Sequence, residues 1–402
     1  MTKMTKATKT DCRIPEKWPP ILYFGNEWRA DNRTSSHHIA RQFMRCTKVV
    51  YVECPGLRPP AGTGRDIKRL IAKVAKAFKG PQRLDDRSYV YTLLQLPFHS
   101  FTLVRLLNRL IIVASLRRLC RKLKIHRPVL WFVVPHLSNV LGRLDESLSV
   151  YYCIDDYASL PGVDKAQVQA MDDTMTIGAD VVFVSSEPLL REKSTTRRDV
   201  ILSRHGVDFE HFNRALTDRL EVPADVLSLR HPVIGFFGLI ESWVDLDLIQ
   251  FLATNRPQWS FLMIGRVAVS SNPCKGLANV HFIGSRSYEV LPNYTQLFDV
   301  ALIPVRINEL IINFNPLKLR EYLAAGRPVV STSFPEIEPF RDLIEVADGH
   351  EAFLEKVDWV LENDDTQKAR RRADSVRDFS WESRFAEVLS SVDRALTNKR
   401  CV

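Results

Sequence analysis

The stretch NFNPLKLREYLAAGRPVV, Asn313–Val330, decides how the chain is read. Asn315 is a favoured helix N-cap, and Pro316 suits the first helical position, where a missing N–H costs nothing. Gly326 can take the left-handed conformation that ends a helix, and Arg327-Pro328 leads into a pair of valines. The stretch therefore predicts a short helix set between two buried strands. In an open parallel sheet the N-terminus of such a helix points into the crevice at the carboxyl ends of the strands. Unpaired backbone N–H groups and the helix dipole favour an anion there. Lys318 lies in the first turn, next to Leu317, and adds positive charge. Glu321 follows about one turn, ~5.4 Å of rise, further along the same face. That is about the offset from a pyrophosphate to the ribose of one nucleotide, and a carboxylate can accept hydrogen bonds from both ribose hydroxyls. Arg306, just after the strand predicted at Val300–Pro304, is expected on the same lip.

Outward from this stretch the same alternation of apolar runs and helical periods fills the chain. Strands are predicted at Ile21–Gly25, Val49–Cys54, Tyr89–Gln95, Val129–Val134, Ser149–Ile154, Val181–Ser185 and Val200–Ser203. A second series follows at Val233–Phe237, Phe261–Ile264, Val280–Ile283, Val300–Pro304 and Pro328–Thr332. Helices are predicted between them, among them Thr34–Arg45, Lys165–Ile177, Leu246–Leu252 and Tyr288–Leu297. Continuous Val/Ile/Tyr runs alternating with helices indicate parallel sheets covered on both faces. The fold class is α/β, two tandem Rossmann-like doubly wound domains facing a cleft. The expected boundaries are a flexible basic tail at 1–20, a first domain at 21–212, a charged linker with Pro223 at 213–231 and a second domain at 232–377. A last helical segment, 378–402, is expected to cross back to the first domain.

Composition narrows the class. The 402 residues are 45% hydrophobic and 26% charged, which suits two globular domains and disfavours disorder. Lys+Arg outnumber Asp+Glu by 56 to 47, a formal net charge of +9, which favours anionic partners. Seven cysteines are scattered with no Cys-x-x-Cys pair, as expected of thiols in a reducing compartment. The Lys/Thr-rich start has no apolar core, so no secretory signal is expected, and no charge-free run is long enough to span a bilayer. A cytoplasmic location follows, extending to the inner face of the cell membrane.

The segment Asn313–Thr332, together with SRHGVDFEHF (Ser203–Phe212) and VIGFFGLIESWVDLDLI (Val233–Ile249), resembles glycosyltransferase family 4. These are nucleotide-sugar transferases that share the GT-B fold. The resemblance spans nearly the whole chain and is greatest to bacterial polysaccharide-assembly enzymes carrying PLKLxEYLAAGxPVVST. It implies that Glu321 is the second glutamate of a Glu-x7-Glu motif and holds the ribose. The first glutamate, which touches the donor sugar, is Asn313 here. The family commonly clamps the diphosphate with a Gly-Arg pair and a downstream lysine. In this chain Gly238 is followed by Leu239, and the lysine position falls near Trp243. The donor is then expected to rest on Gly238, Arg306, Asn313, Asn315, Leu317, Lys318 and Glu321. Asp155, followed by Asp156, occupies the place of a histidine that is often catalytic in the family. Asp155, Asp156 and Lys318 are the expected catalytic residues.

His37 and His38 begin the first helix, and His136 follows a first-domain strand; all three are expected to meet the acceptor. His205-Gly206 marks a strand end near the hinge. Asp245-x-Asp247 has a form used for metals in another transferase fold, but a helix start accounts for it, and no metal or cofactor is expected. Within Ser100–Lys124, Arg105 and Arg109 oppose Arg117, Arg118, Arg121 and Lys122, which suggests two helices or a kink. With the apolar Phe101–Leu107 and the basic run Lys68–Lys79, this predicts contact with an anionic membrane. The function expected is a retaining glycosyltransferase moving a sugar from a nucleoside diphosphate donor to a glycan or polyprenyl-linked acceptor. The alternatives are a nucleotide-sugar epimerase and a non-catalytic membrane scaffold. No basic-aromatic module for nucleic acid is visible.

Overall fold

A computed structural model describes residues 18–29, 33–54, 56, 76–77, 79–94 and 102–400. The expected tail up to residue 17, most of the run Lys68–Lys79, Gln95 and Phe101 lie outside the described residues.

The first sheet has eight strands: β1 (Ile21–Gly25), β2 (Val49–Glu53), β3 (Gln82–Arg83), β4 (Ser88–Thr92), β5 (Val129–Phe132), β6 (Leu148–Cys153), β7 (Val181–Val184) and β8 (Ile201–Leu202). Their order is β3-β4-β2-β1-β5-β6-β7-β8. All pair in parallel except β3, which runs against β4; Ile21 registers with Val49 on one side and Val129 on the other. Helices α1 (Ser35–Cys46), α2 (Thr102–Leu123), α3 (Lys165–Gly178) and α4 (Glu187–Ser194) make the crossovers. Every residue of β1, β2, β5, β6 and β7 is buried, because helices cover both faces and no strand face is left for polar residues.

After α5 (Phe209–Thr217) comes the second sheet: β9 (Val233–Phe237), β10 (Ser260–Ile264), β11 (Val280–Gly284), β12 (Val300–Ile303), β13 (Val329–Ser331) and β14 (Glu345–Val346). It is parallel, in the order β11-β10-β9-β12-β13-β14. Its helices are α6 (Leu246–Asn255), α7 (Leu291–Thr295), α8 (Glu309–Asn313), α9 (Leu317–Ala324), α10 (His350–Asn363) and α11 (Thr366–Ser375). Alternate strand residues feed two cores. Phe237, Leu262 and Ile303 pack with Leu319 and Leu323 of α9, while Phe236, Met263 and Leu302 pack with Ile249 and Val357 on the opposite face.

Three expectations are corrected, and two edge strands are added. The stretch 213–231 is not simply a linker: α5 occupies its start, with Phe212 and Ala215 inside the second core, so the chain has already changed sheets by Val207. Ser100–Lys124 holds one uninterrupted helix over Thr102–Leu123, without a kink. The helix predicted at Tyr288–Leu297 begins as a 3₁₀ turn, Tyr288–Val290, and becomes α-helical only at α7, with Pro292 in its first turn, where a missing N–H is tolerated. The two-residue edge strands β3 and β14 are too short to leave a periodic signal.

The last helix, α12 (Trp381–Arg400), lies on the first sheet, with Trp381, Phe385, Val388, Val392 and Leu396 in the first core. The chain crosses between the domains twice, and the two crossings touch. Val207 and Ser380 form a parallel bridge, with Val207 N–H on Phe379 C=O (2.9 Å) and Trp381 N–H on Val207 C=O (3.2 Å). Gly206 makes this approach possible, since a Cβ there would sit 3.0 Å from the Trp381 backbone.

Candidate functional site

A cavity opens where the carboxyl ends of both sheets face each other. The first domain contributes Asn26, Arg33, Thr34 and Ser35 from the β1–α1 loop, and Ile154, Asp155 and Leu160 after β6. The second contributes Phe237, Gly238, Leu239 and Trp243 after β9, Ile264 and Gly265 after β10, and Arg286 and Tyr288 after β11. Leu310, Ile311, Phe314, Asn315, Leu317, Lys318 and Glu321, from α8 and α9, close one wall.

Helix α9 is held rigidly beneath this cavity. Leu319, Leu323 and Ala324 are fully buried, and the Tyr322 hydroxyl accepts the Phe237 N–H (3.0 Å), tying the helix to the end of β9. That register turns Lys318 and Glu321 to the cavity. The Lys318 ammonium lies over the rings of Phe236 (5.2 Å) and Phe314 (5.6 Å), a cation–π setting. Gly238, at φ +139°, lets the β9 turn approach it: a Cβ there would lie 3.1 Å from Lys318 Cε. Burial pulls the Lys318 ammonium down to about 8, against the opposing pull of Glu321. Burial likewise pushes the Glu321 carboxyl up to about 8, with Lys318 opposing. A cation short of solvent beside a helix N-terminus is poised for an anion, whose charge would restore what desolvation removed. Across the cavity, burial and the neighbouring Asp156 raise Asp155 to about 7.

Asn315 does not cap the helix. Its Nδ2 donates to Ser185 C=O (2.6 Å) and Glu336 Oε2 (2.9 Å), and its Oδ1 accepts from Arg320 Nη1 (2.7 Å). It is a fully paired bolt between the domains, and Pro316 stands at the cap without a side-chain bond. Its carbonyl also accepts from His205 Nδ1 (3.0 Å). Burial and Arg320 push His205 down to about 3, so its ring is neutral in the cavity wall. Glu336, buried, joins the same network by accepting the Glu187 N–H (2.8 Å).

Other expected residues stand elsewhere. Arg306 pairs with Asp245 and Asp247 on the outer lip and does not line the cavity. Asp245 caps α6, accepting the Leu248 N–H (3.2 Å). Asp156 caps the turn Tyr157–Ser159, with Ser159 Oγ at 2.5 Å, and accepts Asn313 Nδ2 (3.1 Å). Both carboxylate and amide are thereby turned into the contact between domains and away from the cavity lining. His37 spends one ring nitrogen on Thr34, whose N–H lies 3.1 Å from Nδ1, and the other on Glu27 C=O (3.0 Å). His38 is buried and stacks on Trp381 (4.7 Å, 7°), and burial holds its ring well below the usual range. His136 sits half-buried in the 3₁₀ turn Pro135–Val140, outside the cavity lining. Of the expected set, the cavity gathers Gly238, Asn315, Leu317, Lys318, Glu321 and Asp155.

Sequence reasoning missed Arg33 and Tyr288. Arg33 lies over the Tyr288 ring (4.5 Å) and pairs with Glu289 across the cleft. Its signal is its place in the loop that follows the carboxyl end of β1, where open parallel sheets bind ligands. Among the described residues no group of three His, Cys, Asp or Glu side chains could hold a metal ion.

Residues 231–363, spanning the second sheet and α9, match the family described as glycosyl transferases group 1. TuaH of Bacillus subtilis (strain 168), named as a teichuronic acid biosynthesis glycosyltransferase, is 25% identical over 391 residues, covering 90% of this chain and 94% of that protein. Among solved structures, sucrose-phosphate synthase from Thermosynechococcus elongatus superposes with a TM-score of 0.64 at 15% identity, covering 95% of this chain and all 100% of that one. HepE of Anabaena, solved in complex with UDP and glucose, gives a TM-score of 0.63 at 14% identity, over 93% and 99%. With two facing Rossmann-like domains and a group 1 transferase match over the helix that carries Lys318 and Glu321, this chain is a glycosyltransferase with the GT-B fold, similar to members of family 4.

Proposed function

We propose that the protein is a retaining glycosyltransferase of polysaccharide biosynthesis, using a nucleoside diphosphate-sugar and needing no metal or other cofactor. The observation that carries this reading is the placement of Lys318 and Glu321 one turn apart on the cavity wall at the start of α9. The donor diphosphate lies against Lys318 and the free N–H groups of α9, and Glu321 accepts the ribose hydroxyls. The bond from the anomeric carbon to the diphosphate oxygen breaks, and the acceptor oxygen bonds to that carbon. The acceptor proton passes to the departing diphosphate, so no strong side-chain base is needed. Stabilising that leaving charge in a low-dielectric cleft is the main catalytic contribution. Asp155, facing the site from the first domain, orients the acceptor hydroxyl or steadies positive charge on the sugar.

Support comes from the relatives: TuaH is named for teichuronic acid biosynthesis, and HepE was solved with UDP and glucose. The acceptor is accordingly read as a glycan or polyprenyl-linked glycan, met in the cytoplasm at the inner membrane face. The epimerase and scaffold alternatives are not favoured beside a transferase family match. The test is calorimetric titration with nucleoside diphosphates, followed by donor turnover with candidate acceptors and NMR of the new anomeric centre. Binding of one nucleoside diphosphate and an unchanged anomeric configuration are expected. No binding by any of them sinks the donor reading; an inverted product sinks the retaining one.

A further inference from the structure

Helix α2 carries a surface that the transfer chemistry does not use. Its sequence, TLVRLLNRLIIVASLRRLCRKL, holds six basic residues and no acidic one. One face is buried in the first core through Ile112, Leu116 and Leu119. The opposite face is exposed along its whole described length, and at 100° per residue its members fall within an arc of roughly 160°. The first turns of that face present Leu106, Leu107 and Leu110, which are 45%, 48% and 58% exposed. The last turns present Arg117, Arg118, Arg121 and Lys122, all exposed. Arg117 donates to the Arg143 carbonyl, which leaves its charge uncompensated. Nearby Glu146 is folded back, accepting the Leu144 N–H (3.0 Å) and the Gly142 N–H.

Topology orients this face. α2 follows β4 and feeds the parallel strand β5, so it starts at the cleft end of the sheet and runs away from it. The leucines therefore lie toward the cleft and the cations toward the far end. No helix among the described residues is long and apolar enough to cross a membrane. A polyanion with no apolar layer would leave the leucines in water, whereas a bilayer interface offers hydrocarbon to them and phosphates to the cations.

We propose that the exposed face of α2 seats the protein on an anionic bilayer, with Leu106, Leu107 and Leu110 in the headgroup–acyl boundary and the four cations among lipid phosphates. The seat presents the first domain's side of the cleft to an acceptor carried in the same leaflet. It stands on α2 alone; only the nature of that acceptor rests on the transferase reading.

The experiment is flotation of the full chain with vesicles of phosphatidylcholine, with and without about one-quarter phosphatidylglycerol. Binding is expected only to the anionic vesicles, falling about tenfold or more when salt is raised to about 0.5 M. Replacing Arg117, Arg118, Arg121 and Lys122 by Gln should weaken binding about tenfold or more, and so should replacing Leu106, Leu107 and Leu110 by Ser. Both variants should keep the parent melting temperature and nucleoside diphosphate affinity, which separates failure of the seat from unfolding and from failure of the donor reading. Equal binding to both vesicles, binding to neither, or binding unchanged in either variant overturns the proposal. So does a loss confined to the cation variant together with equal affinity for duplex DNA, the mark of a general polyanion patch.

Discussion

The two walls of the cleft are built on different terms. On the second-domain wall two charged side chains marked by the sequence, Lys318 and Glu321, face the cavity from a largely buried helix, while Arg306 and Asn313 turn away from it. On the first-domain wall the three marked histidines are absorbed by the architecture. His37 closes a capping box, His38 stacks on the returning helix, and His136 sits in a turn. Polar groups on a helix between two buried strands have one open direction, the cleft. Groups at the start of a crossover helix also have caps and neighbouring rings to satisfy. A charged helix face in an apolar setting is therefore firmer evidence of a site than a histidine at a helix start.

The sharpest way to break this contrast is Lys318→Ala, expected to weaken nucleoside diphosphate binding about 100-fold while leaving the melting temperature near that of the parent. Unchanged calorimetric affinity would place the anion elsewhere. Next, Glu321→Gln should cost about tenfold in affinity for a ribonucleotide and less for its deoxyribose analogue. The carboxyl's folded value, about 8, exceeds its ordinary 4.5, so its contribution to stability is full below 4.5 and is lost as pH rises through 8. The Gln variant should therefore melt higher than the parent near pH 8 without ligand, whereas equal affinity losses for the ribonucleotide and its deoxyribose analogue would make Glu321 merely structural.

A third effect follows from Lys318 itself. Diphosphate raises the ammonium above its free value of about 8, so binding takes up a proton when the pH is above that value. Affinity should be flat below about pH 7 and fall about tenfold between roughly pH 7 and pH 9. A flat profile would mean that a permanently charged arginine carries the anion. The smallest expected effects sharpen the other side of the contrast. His38→Ala should lower the melting temperature yet leave donor affinity within about twofold, as should Arg306→Ala with no thermal cost, since surface pairs contribute little.

Much of this was legible beforehand because parallel strands buried on both faces leave continuous apolar runs, as Val181–Val184 and Val233–Phe237 show. The Lys318–Glu321 spacing was equally visible, because one helical turn sets it. Asn315 was misread for a definite reason. A cap preference describes a local option, whereas its amide meets Ser185 and Glu336 from distant parts of the chain. The same holds for Arg306, whose carboxylate partners are 59 and 61 residues away. The boundary near Val207 was hidden because α5 is charged outside and apolar only on the face it presents to α7 and α9.

The bridge between Val207 and Ser380 has a mechanical consequence. Two covalent links passing through one point act as a pin joint: the lobes can swing about it, but they cannot slide apart without tearing the bridge. The ion pairs that join the lobes elsewhere, Arg33 with Glu289 and Lys165 with Glu309, must then break when the jaws part. A chain cut short before Trp381 would lose both the pin and six apolar side chains from the opposite lobe, so the tail is part of the machine's bearing and no trailing ornament.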